Sequence, residues 1–401
     1  MRNNLALAET QRNDPDGEAR MLRVLRISHS GSVTSYRERE RQLVASFPVE
    51  VKLIIPERWQ HLGGDESEIQ ESFEVAKAKT YGTGSIPLFA YEYSVIADYL
   101  KKFRPHLVDV HEEPYSVSCF EIVQMVERIL PSAACVFYSA QNINKRYPPP
   151  FSWTEQYVYR KCVGAYPCSD LVKEVLFAKG FRTNSEVIPL GVDPELFKPR
   201  QLDRSVSGLQ NDAVVIGYFG RLEEYKGVQY VLQALATVGN EANWQVLIVG
   251  NGIYCEKLRA LAAALGIAER IVWVGEINAN CVADYINLCD VTVVPSVTTA
   301  TWKEQFGRAV TESMACGVPV ISSDSGSLPE VVGAAGIIVP EKNAVALADA
   351  LCRIISNADY RKELGTASLL RVQNQYTWKK IAQMTFAFYQ RSIQIKSDRS
   401  S

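Results

Sequence analysis

The sequence predicts an α/β protein made of two consecutive, doubly wound, mostly parallel sheets that face a central cleft. Three observations lead there. Short apolar runs alternate with helical stretches along the chain, as in a parallel sheet covered on both faces. The alternation restarts after a Pro- and Gly-rich bridge, Pro189-Leu190-Gly191-Val192-Asp193-Pro194-Glu195-Leu196-Phe197-Lys198-Pro199. A length of 401 residues exceeds one ordinary domain, so two are expected.

In chain order, residues 1–20 read as a polar tail, 21–199 as the first domain and 200–376 as the second. In the first domain, strands are expected at Leu22–Ile27, Val49–Ile55, Leu107–Val110, Ala134–Tyr138 and Glu186–Ile188. A charged helix from about Ser35 follows the loop His29-Ser30-Gly31-Ser32. Further helices are expected near Tyr91–Lys102, Val117–Arg128, Trp153–Arg160 and Asp170–Ala178. Residues 200–212 are polar and weakly patterned, as a linker should be. The second domain reads as strands at Val214–Phe219, Val246–Val249, Ile271–Val274, Val291–Val294, Val318–Ile321 and Ile337–Val339. A last helix is expected over 377–393, with Thr377 as N-cap and a frayed end over 394–401.

Composition narrows the function. Hydrophobic content of 47% is that of a globular protein. A net charge of −2 gives no sign of a nucleic-acid partner. No run approaches the roughly eighteen apolar residues of a transmembrane helix, and residues 1–20 lack the apolar core of a signal peptide. A cytoplasmic location is expected, with peripheral association at the inner face of the membrane left open. Nine cysteines at scattered spacings fit reduced, buried thiols. His29, His61, His106 and His111 form no ligand pair with them, so no zinc site is expected.

The most informative stretch runs from Pro295 to Pro319. The strand Val291–Val294 precedes it, and Gly307 to Cys316 reads as a helix ended by Gly317 and Pro319. Glu304 therefore lies just ahead of a helix N-terminus and Glu312 one to two turns inside it. A helix N-terminus attracts phosphate, while carboxylates take sugar and ribose hydroxyls. That combination suits a nucleotide-sugar. Arg221 and Lys226, in Gly220-Arg221-Leu222-Glu223-Glu224-Tyr225-Lys226-Gly227, follow the first strand of the second half. Strand ends of open α/β sheets are where ligands bind, and two cations there would balance a diphosphate.

Glu304-Gln305-Phe306-Gly307, four residues, then Glu312-Ser313-Met314-Ala315-Cys316-Gly317-Val318-Pro319 resembles the signature of the retaining glycosyltransferases of family 4, which have the two-domain GT-B fold. Gln305 stands where Gly is common and Ser313 where Ala is common. Gly-Arg-Leu, three residues, Lys-Gly matches the same family at Gly220–Gly227. The resemblance covers about residues 21–393. It implies that the last helix crosses back to the first domain, and it assigns roles. Glu312 would hold ribose hydroxyls and Glu304 hydroxyls of the donor sugar. The amides of Phe306 and Gly307, with Arg221 and Lys226, would take the diphosphate. The nucleotide base would lie near Gly250-Asn251-Gly252 and Glu276-Ile277, although Gly250-x-Gly252 is equally read as a plain tight turn. In the first half, His111 would contact the sugar, and the loop carrying Gly31 would face donor and acceptor.

The expected activity is transfer of a sugar from a nucleotide-sugar donor, with retention, to an acceptor hydroxyl in glycan, polysaccharide or glycolipid synthesis. Glycan, lipid-linked and small-molecule acceptors are all compatible. The sugar nucleotide is a substrate, so no cofactor is expected, and no metal. Asp14-Pro15-Asp16 is the only Asp-x-Asp, and it stands in the polar tail rather than at a strand end. The loop Gln141–Tyr147 with Pro148-Pro149-Pro150 reads either as a surface crossover or as an acceptor-site wall. Two other functions fit a Rossmann-like fold. A dehydrogenase is disfavoured because Cys255 stands where a dinucleotide fingerprint needs its third glycine. A catalytically inactive sugar-nucleotide-binding protein is disfavoured by the intact glutamate and Arg/Lys pairs. Neither a P-loop nor a Gly-x-Ser-x-Gly nucleophile motif occurs.

Overall fold

The computed structural model describes residues 21–59, 70–82, 84–239 and 242–400. The expected tail with Asp14-Pro15-Asp16, and His61, lie outside them. The first sheet contains β1 (Leu22–Ile27), β2 (Val49–Pro56), β3 (Glu74–Ala78), β6 (Leu107–Val110), β7 (Ala134–Ser139), β8 (Gly164–Pro167) and β9 (Asn184–Ser185). Its order is β3-β2-β1-β6-β7-β8-β9, and every pairing is parallel. A separate antiparallel pair, β4 (Thr80–Tyr81) and β5 (Ala90–Tyr91), lies between β3 and β6 in the chain. The second sheet orders its strands β12-β11-β10-β13-β14-β15, all parallel. These are β10 (Val214–Phe219), β11 (Trp244–Val249), β12 (Ile271–Gly275), β13 (Val291–Val294), β14 (Val320–Ser323) and β15 (Ile337–Val339). Both sheets reverse direction beside their first strand, and the crevice at such a switch point is where α/β sheets take ligands.

The central strands are buried along their length, for example Leu107–Val110 and Trp244–Val249. Sheets covered on both faces favour such mainly apolar runs, here interrupted only by the buried Asp109 and Gln245, which is why these strands were legible. Several expectations need correction. The strand placed at Val318–Ile321 is Val320–Ser323: Gly317 sits at φ +71° and turns the chain, so pairing starts after Pro319. The strand placed at Glu186–Ile188 is Asn184–Ser185, although Glu186 and Ile188 still donate to Ala165 and Pro167. The charged helix begins at Glu38, after two short 3₁₀ turns. Strands β3 and β8 and the β4–β5 pair were not foreseen, because their apolar runs are short or broken by Lys and Gly.

The polar segment after Pro199 is tied to the second half. Arg204 pairs with Asp290 at 2.9 Å, and Leu209 is buried. The last helix runs Trp378–Ser400, so 394–400 continue the helix instead of fraying. Ile393 and Ile395 pack on the first-half core, and Gln394 donates to Asp398 one turn on. Its N-terminus has the Thr377 hydroxyl accepting from the Lys380 amide. Ile381, Phe388 and Tyr389 are buried in the same cluster as Val24, Val51 and Val136 of the first sheet. Among the described residues no helix is long and apolar enough to cross a membrane.

Candidate active site

Between the two sheets lies a cleft of about 1240 Å³. Its second-half wall is assembled at the C-terminal ends of β10, β11, β12 and β13. Arg221, Lys226, Gly250, Asn251, Gly252, Glu276, Ile277, Glu304, Phe306, Gly307 and Glu312 all line it. The glycines explain how the loops come so close. A Cβ on Gly227 would stand 1.9 Å from the Pro295 carbonyl, and one on Gly250 1.9 Å from that of Gly220. Both have positive φ, +77° and +133°. A Cβ on Gly252 would meet the Leu222 carbonyl at 2.3 Å. Gly250-Asn251-Gly252 thus welds the loop after β11 onto the loop after β10, which places Arg221 at the mouth.

Glu304 and Lys226 face each other. The ammonium of Lys226 lies 2.8 Å from Glu304 Oε2 and 4.7 Å from the centre of the Trp302 ring. The Ser296 hydroxyl donates to the same Oε2 at 2.8 Å. The carboxylate expected on a sugar and the cation expected on a phosphate thus neutralise one another. The Glu304 backbone is anchored from both halves: its carbonyl accepts from the Asn142 side chain at 2.8 Å and from the Ser327 amide at 3.0 Å. Asn142 belongs to the proline-containing loop, which therefore reaches the second half; Lys145 of that loop also donates to Thr301.

Phe306 is buried and packs edge-on against Tyr376, while Gly307, at φ +85°, caps the Arg308–Ala315 helix. The Val310 amide bonds the Gly307 carbonyl at 2.9 Å; the other first-turn amides of an α-helix have no intrahelical partner. Glu312, one turn in, lies 3.4 Å from Arg308, and burial raises its pKa against that cation. Arg308 was missed in the sequence. It stands 4.5 Å over the Tyr36 ring of the first half, and its signal was the i,i+4 spacing to Glu312. Among the described residues no group of three or more His, Cys, Asp or Glu is arranged to hold a metal ion.

Comparison with known proteins bears on this constellation. Residues 199–370 match the model of the family described as glycosyl transferases group 1. The second half of the chain is thus similar to the group 1 glycosyltransferases. The motifs around Glu304 and Arg221 fall inside it, as the family 4 resemblance requires. The chain is 30% identical over 190 residues to an uncharacterized glycosyltransferase of Methanocaldococcus jannaschii, covering 47% of each. It is 31% identical over 222 residues to a D-inositol 3-phosphate glycosyltransferase of Stackebrandtia nassauensis, covering 52% of this chain and 49% of the other. The chain thus spans about half the length of the curated relatives it matches. Among solved structures, Anabaena HepE in complex with UDP superposes with a TM-score of 0.70 at 16% identity, covering 91% of this chain and 99% of that one. The fold is GT-B.

The first-half wall holds a second cavity, of about 340 Å³, which opens beside the cleft. Tyr36, Tyr138, Ala140, Leu190, Gln305 and Arg308 line both. His111 lies in this second cavity, not in the cleft. Its ring stacks on Tyr138 at 4.0 Å, and Nδ1 lies 2.9 Å from the Tyr166 hydroxyl. That hydroxyl spends its one hydrogen on Asp109, so His111 Nδ1 must be the donor and Nε2 the acceptor. Burial, then the nearby charges of Arg39 and His29, hold its pKa well below 6.5, so the ring is neutral. Gly31 lines neither space. It is buried with its Cα against Ile55 and Leu53, and Ser30 takes its place in the cavity wall.

Beneath His111 lies a buried polar network. β1 and β6 pair with Arg26 opposite Asp109. Asp109 takes Arg26 at 3.2 Å and Arg39 at 2.8 Å, and the hydroxyls of Tyr166 and Tyr389 as well. Glu40 takes both guanidiniums at 3.0 Å. Tyr389 comes from the last helix, so this network also ties that helix down.

Proposed function

We propose that the protein transfers a sugar from a nucleoside-diphosphate sugar to an acceptor hydroxyl, with retention at the anomeric carbon and without a metal. The observation that carries this reading is the cleft wall itself: Arg221, Lys226, the Gly307-capped helix and the two glutamates converge on one space at the ends of four parallel strands. Arg221 and Lys226 would stabilise the departing diphosphate, doing by fixed cations what a bound metal does elsewhere. Glu312 would hold the ribose and Glu304 the sugar, and His111 would meet the sugar where it reaches from the cleft into the adjoining first-half cavity. The base would lie against Gly250–Gly252 and Glu276–Ile277. The donor must displace Glu304 from Lys226 to bring its phosphate to that cation. Retention follows the family 4 pattern of the motifs, in which the attacking hydroxyl approaches on the face that the phosphate leaves. The acceptor would enter from the first-half cavity, as part of glycan or glycolipid synthesis at the cytoplasmic side.

A thermal-shift series with UDP-, GDP- and ADP-glucose and GDP-mannose tests the donor. A ligand at 100 times its Kd should add about 2.7 kcal/mol to stability. UDP-glucose leads the series, because the Anabaena neighbour was also solved with UDP-glucose. Turnover should persist in EDTA, and NMR of the product should show the donor's anomeric configuration. No stabilisation by any sugar nucleotide would refute the donor class; activity lost to EDTA and restored by Mn²⁺ would refute metal independence.

A further inference from the structure

Glu304 is held at its backbone by the other half of the chain. Asn142, in the loop after β7, is 3% exposed and lines neither the cleft nor the first-half cavity. Its Nδ2 donates to the Glu304 carbonyl at 2.8 Å. The Ser327 amide reaches the same oxygen at 3.0 Å, and a Cβ on Gly326, at φ +57°, would stand 2.1 Å from it. Both lone pairs of that carbonyl are therefore taken, one by each half. One residue on, the Cys168 thiol donates to the Gln305 carbonyl at 3.7 Å. The contact continues through the hydroxyls of Ser169 and Ser327, 2.8 Å apart, and through the Asp170 amide, which donates to the Glu330 carboxylate at 2.9 Å. The Asn142 loop is itself held from behind. Glu113 accepts from the Ser139 hydroxyl at 2.8 Å and the Ala140 amide at 2.7 Å. Gln141 accepts from the Ile143 amide at 3.0 Å and donates to the Tyr147 hydroxyl at 3.2 Å.

We propose that Asn142 is a positioning residue for Glu304. From the first half it fixes the backbone of the glutamate, so that the carboxylate can meet the donor sugar only when the two halves are together. The inference rests on the transferase reading and adds to that site a residue that touches no substrate. The physical need is clear from the two ends of Glu304. Its carboxylate is the movable end, paired with Lys226 at 2.8 Å and released when a donor phosphate takes that cation. Its carbonyl is the fixed end. A side chain that swings from a cation to a sugar arrives in a productive pose only if its backbone stays in place, and small misplacements cost rate rather than affinity. Arg221 and Glu312 line the cleft from second-half elements alone, and neither shares a hydrogen bond with Asn142. Nucleoside diphosphate binding and sugar placement are thereby separable: the second half holds the nucleotide, and the Asn142 contact sets the sugar's carboxylate.

The test uses the full chain and whichever of UDP-glucose, GDP-mannose or ADP-glucose stabilises it, with water and then glycerol as acceptors. Asn142→Ala should lower kcat by about 5–50-fold, the worth of one buried hydrogen bond whose acceptor is left short of a partner. The loss should be the same for both acceptors, and nucleoside diphosphate affinity by calorimetry should stay within about twofold of wild type. Asn142→Asp keeps the shape but turns a carboxylate toward the Glu304 carbonyl, so its kcat should fall below that of Asn142→Ala. In a Glu304→Gln background, Asn142→Ala should cause little further loss, because a residue that acts through Glu304 has nothing left to position. If Asn142→Ala melts early, Asn142→Asp alone and in the Glu304→Gln background carries the test. Wild-type kinetics in both Asn142 variants, multiplied losses in the double variant, or nucleoside diphosphate affinity falling in step with kcat would overturn the positioning role. A loss confined to glycerol would also overturn it, by making Asn142 part of the acceptor wall. Each of these results leaves the transferase reading standing. Failure of the wild-type chain to turn over any sugar nucleotide that it binds would overturn both.

Discussion

The two walls of the cleft hold polar groups in opposite ways. In the second half, Arg221, Lys226 and Glu304 project from loops whose shape is set by backbone. Gly227, Gly250 and Gly252 each let a chain run where a Cβ would strike a carbonyl. The side chains themselves carry little of the fold. In the first half the polar groups are part of the core: Asp109 is fully buried and receives two guanidiniums and two phenols. One wall therefore presents charge to a ligand at small cost to stability, and the other uses charge to fix the geometry behind His111 and the last helix.

This contrast can be broken or sharpened by experiment. The largest effect is expected for Asp109→Ala, which leaves Arg26 and Arg39 buried with Glu40 alone. Removing one partner of a buried ion network costs about 3–5 kcal/mol, so chemical denaturation should show a loss of that size. A loss under 1 kcal/mol would mean that the network is dispensable. Next come Arg221→Ala and Lys226→Ala. Each should lower kcat/KM by about 10²–10³; Arg221→Ala should shift stability by no more than about 0.5 kcal/mol, and Lys226→Ala, which leaves Glu304 without its cation, by less than Asp109→Ala. Near-normal kinetics, or a destabilisation rivalling that of Asp109→Ala, would erase the difference between the walls.

A smaller effect separates the two glutamates. Glu312→Gln should weaken nucleoside diphosphate binding by about 10–100-fold, the worth of a charge-assisted hydrogen bond. Glu304→Gln should lower kcat but hold or tighten that affinity, by up to about tenfold, because Lys226 is then freed from its carboxylate. Calorimetry beside kcat decides it, and the reverse pattern would exchange the two roles. The smallest effect concerns Glu113, which accepts from Ser139 at 2.8 Å and the Ala140 amide at 2.7 Å. Burial lifts its pKa from 4.5 to about 7 in the fold despite those bonds. A carboxyl with a raised folded pKa contributes stability at low pH and loses it as pH rises through that value. The melting temperature should fall between about pH 4.5 and 7, and Glu113→Gln should remove part of that slope. Glu40, raised to about 7 by burial, and His29 act with the same sign. An unchanged slope in Glu113→Gln would show that Glu113 ionises freely.

How much was legible follows from the same division. The second-half wall reads from contiguous runs because its parts are local. A strand, a glycine turn and the next helix start lie within a dozen or so residues, and parallel βα units always deliver the strand's C-terminal end to one edge of the sheet. Even there, the Lys226–Glu304 pair was hidden, since it joins loops 78 residues apart. The His29–Glu112 pair spans 83 residues and Tyr389–Asp109 spans 280. Neither has a local signal.

By itself, then, the sequence determined the strand–helix alternation, the two doubly wound halves, and the motif residues that meet along the second wall. Hydrophobic periodicity and glycine placement are local properties, and local properties survive in one dimension. The tertiary structure alone decided that His111 lies in a separate cavity, that Gly31 is buried while Ser30 faces inward, and that Arg308 bridges the two halves. It alone set Arg26 opposite Asp109, because strand register is a pairing between distant segments. A buried charge is tolerable only where such a register brings its partner within hydrogen-bonding reach.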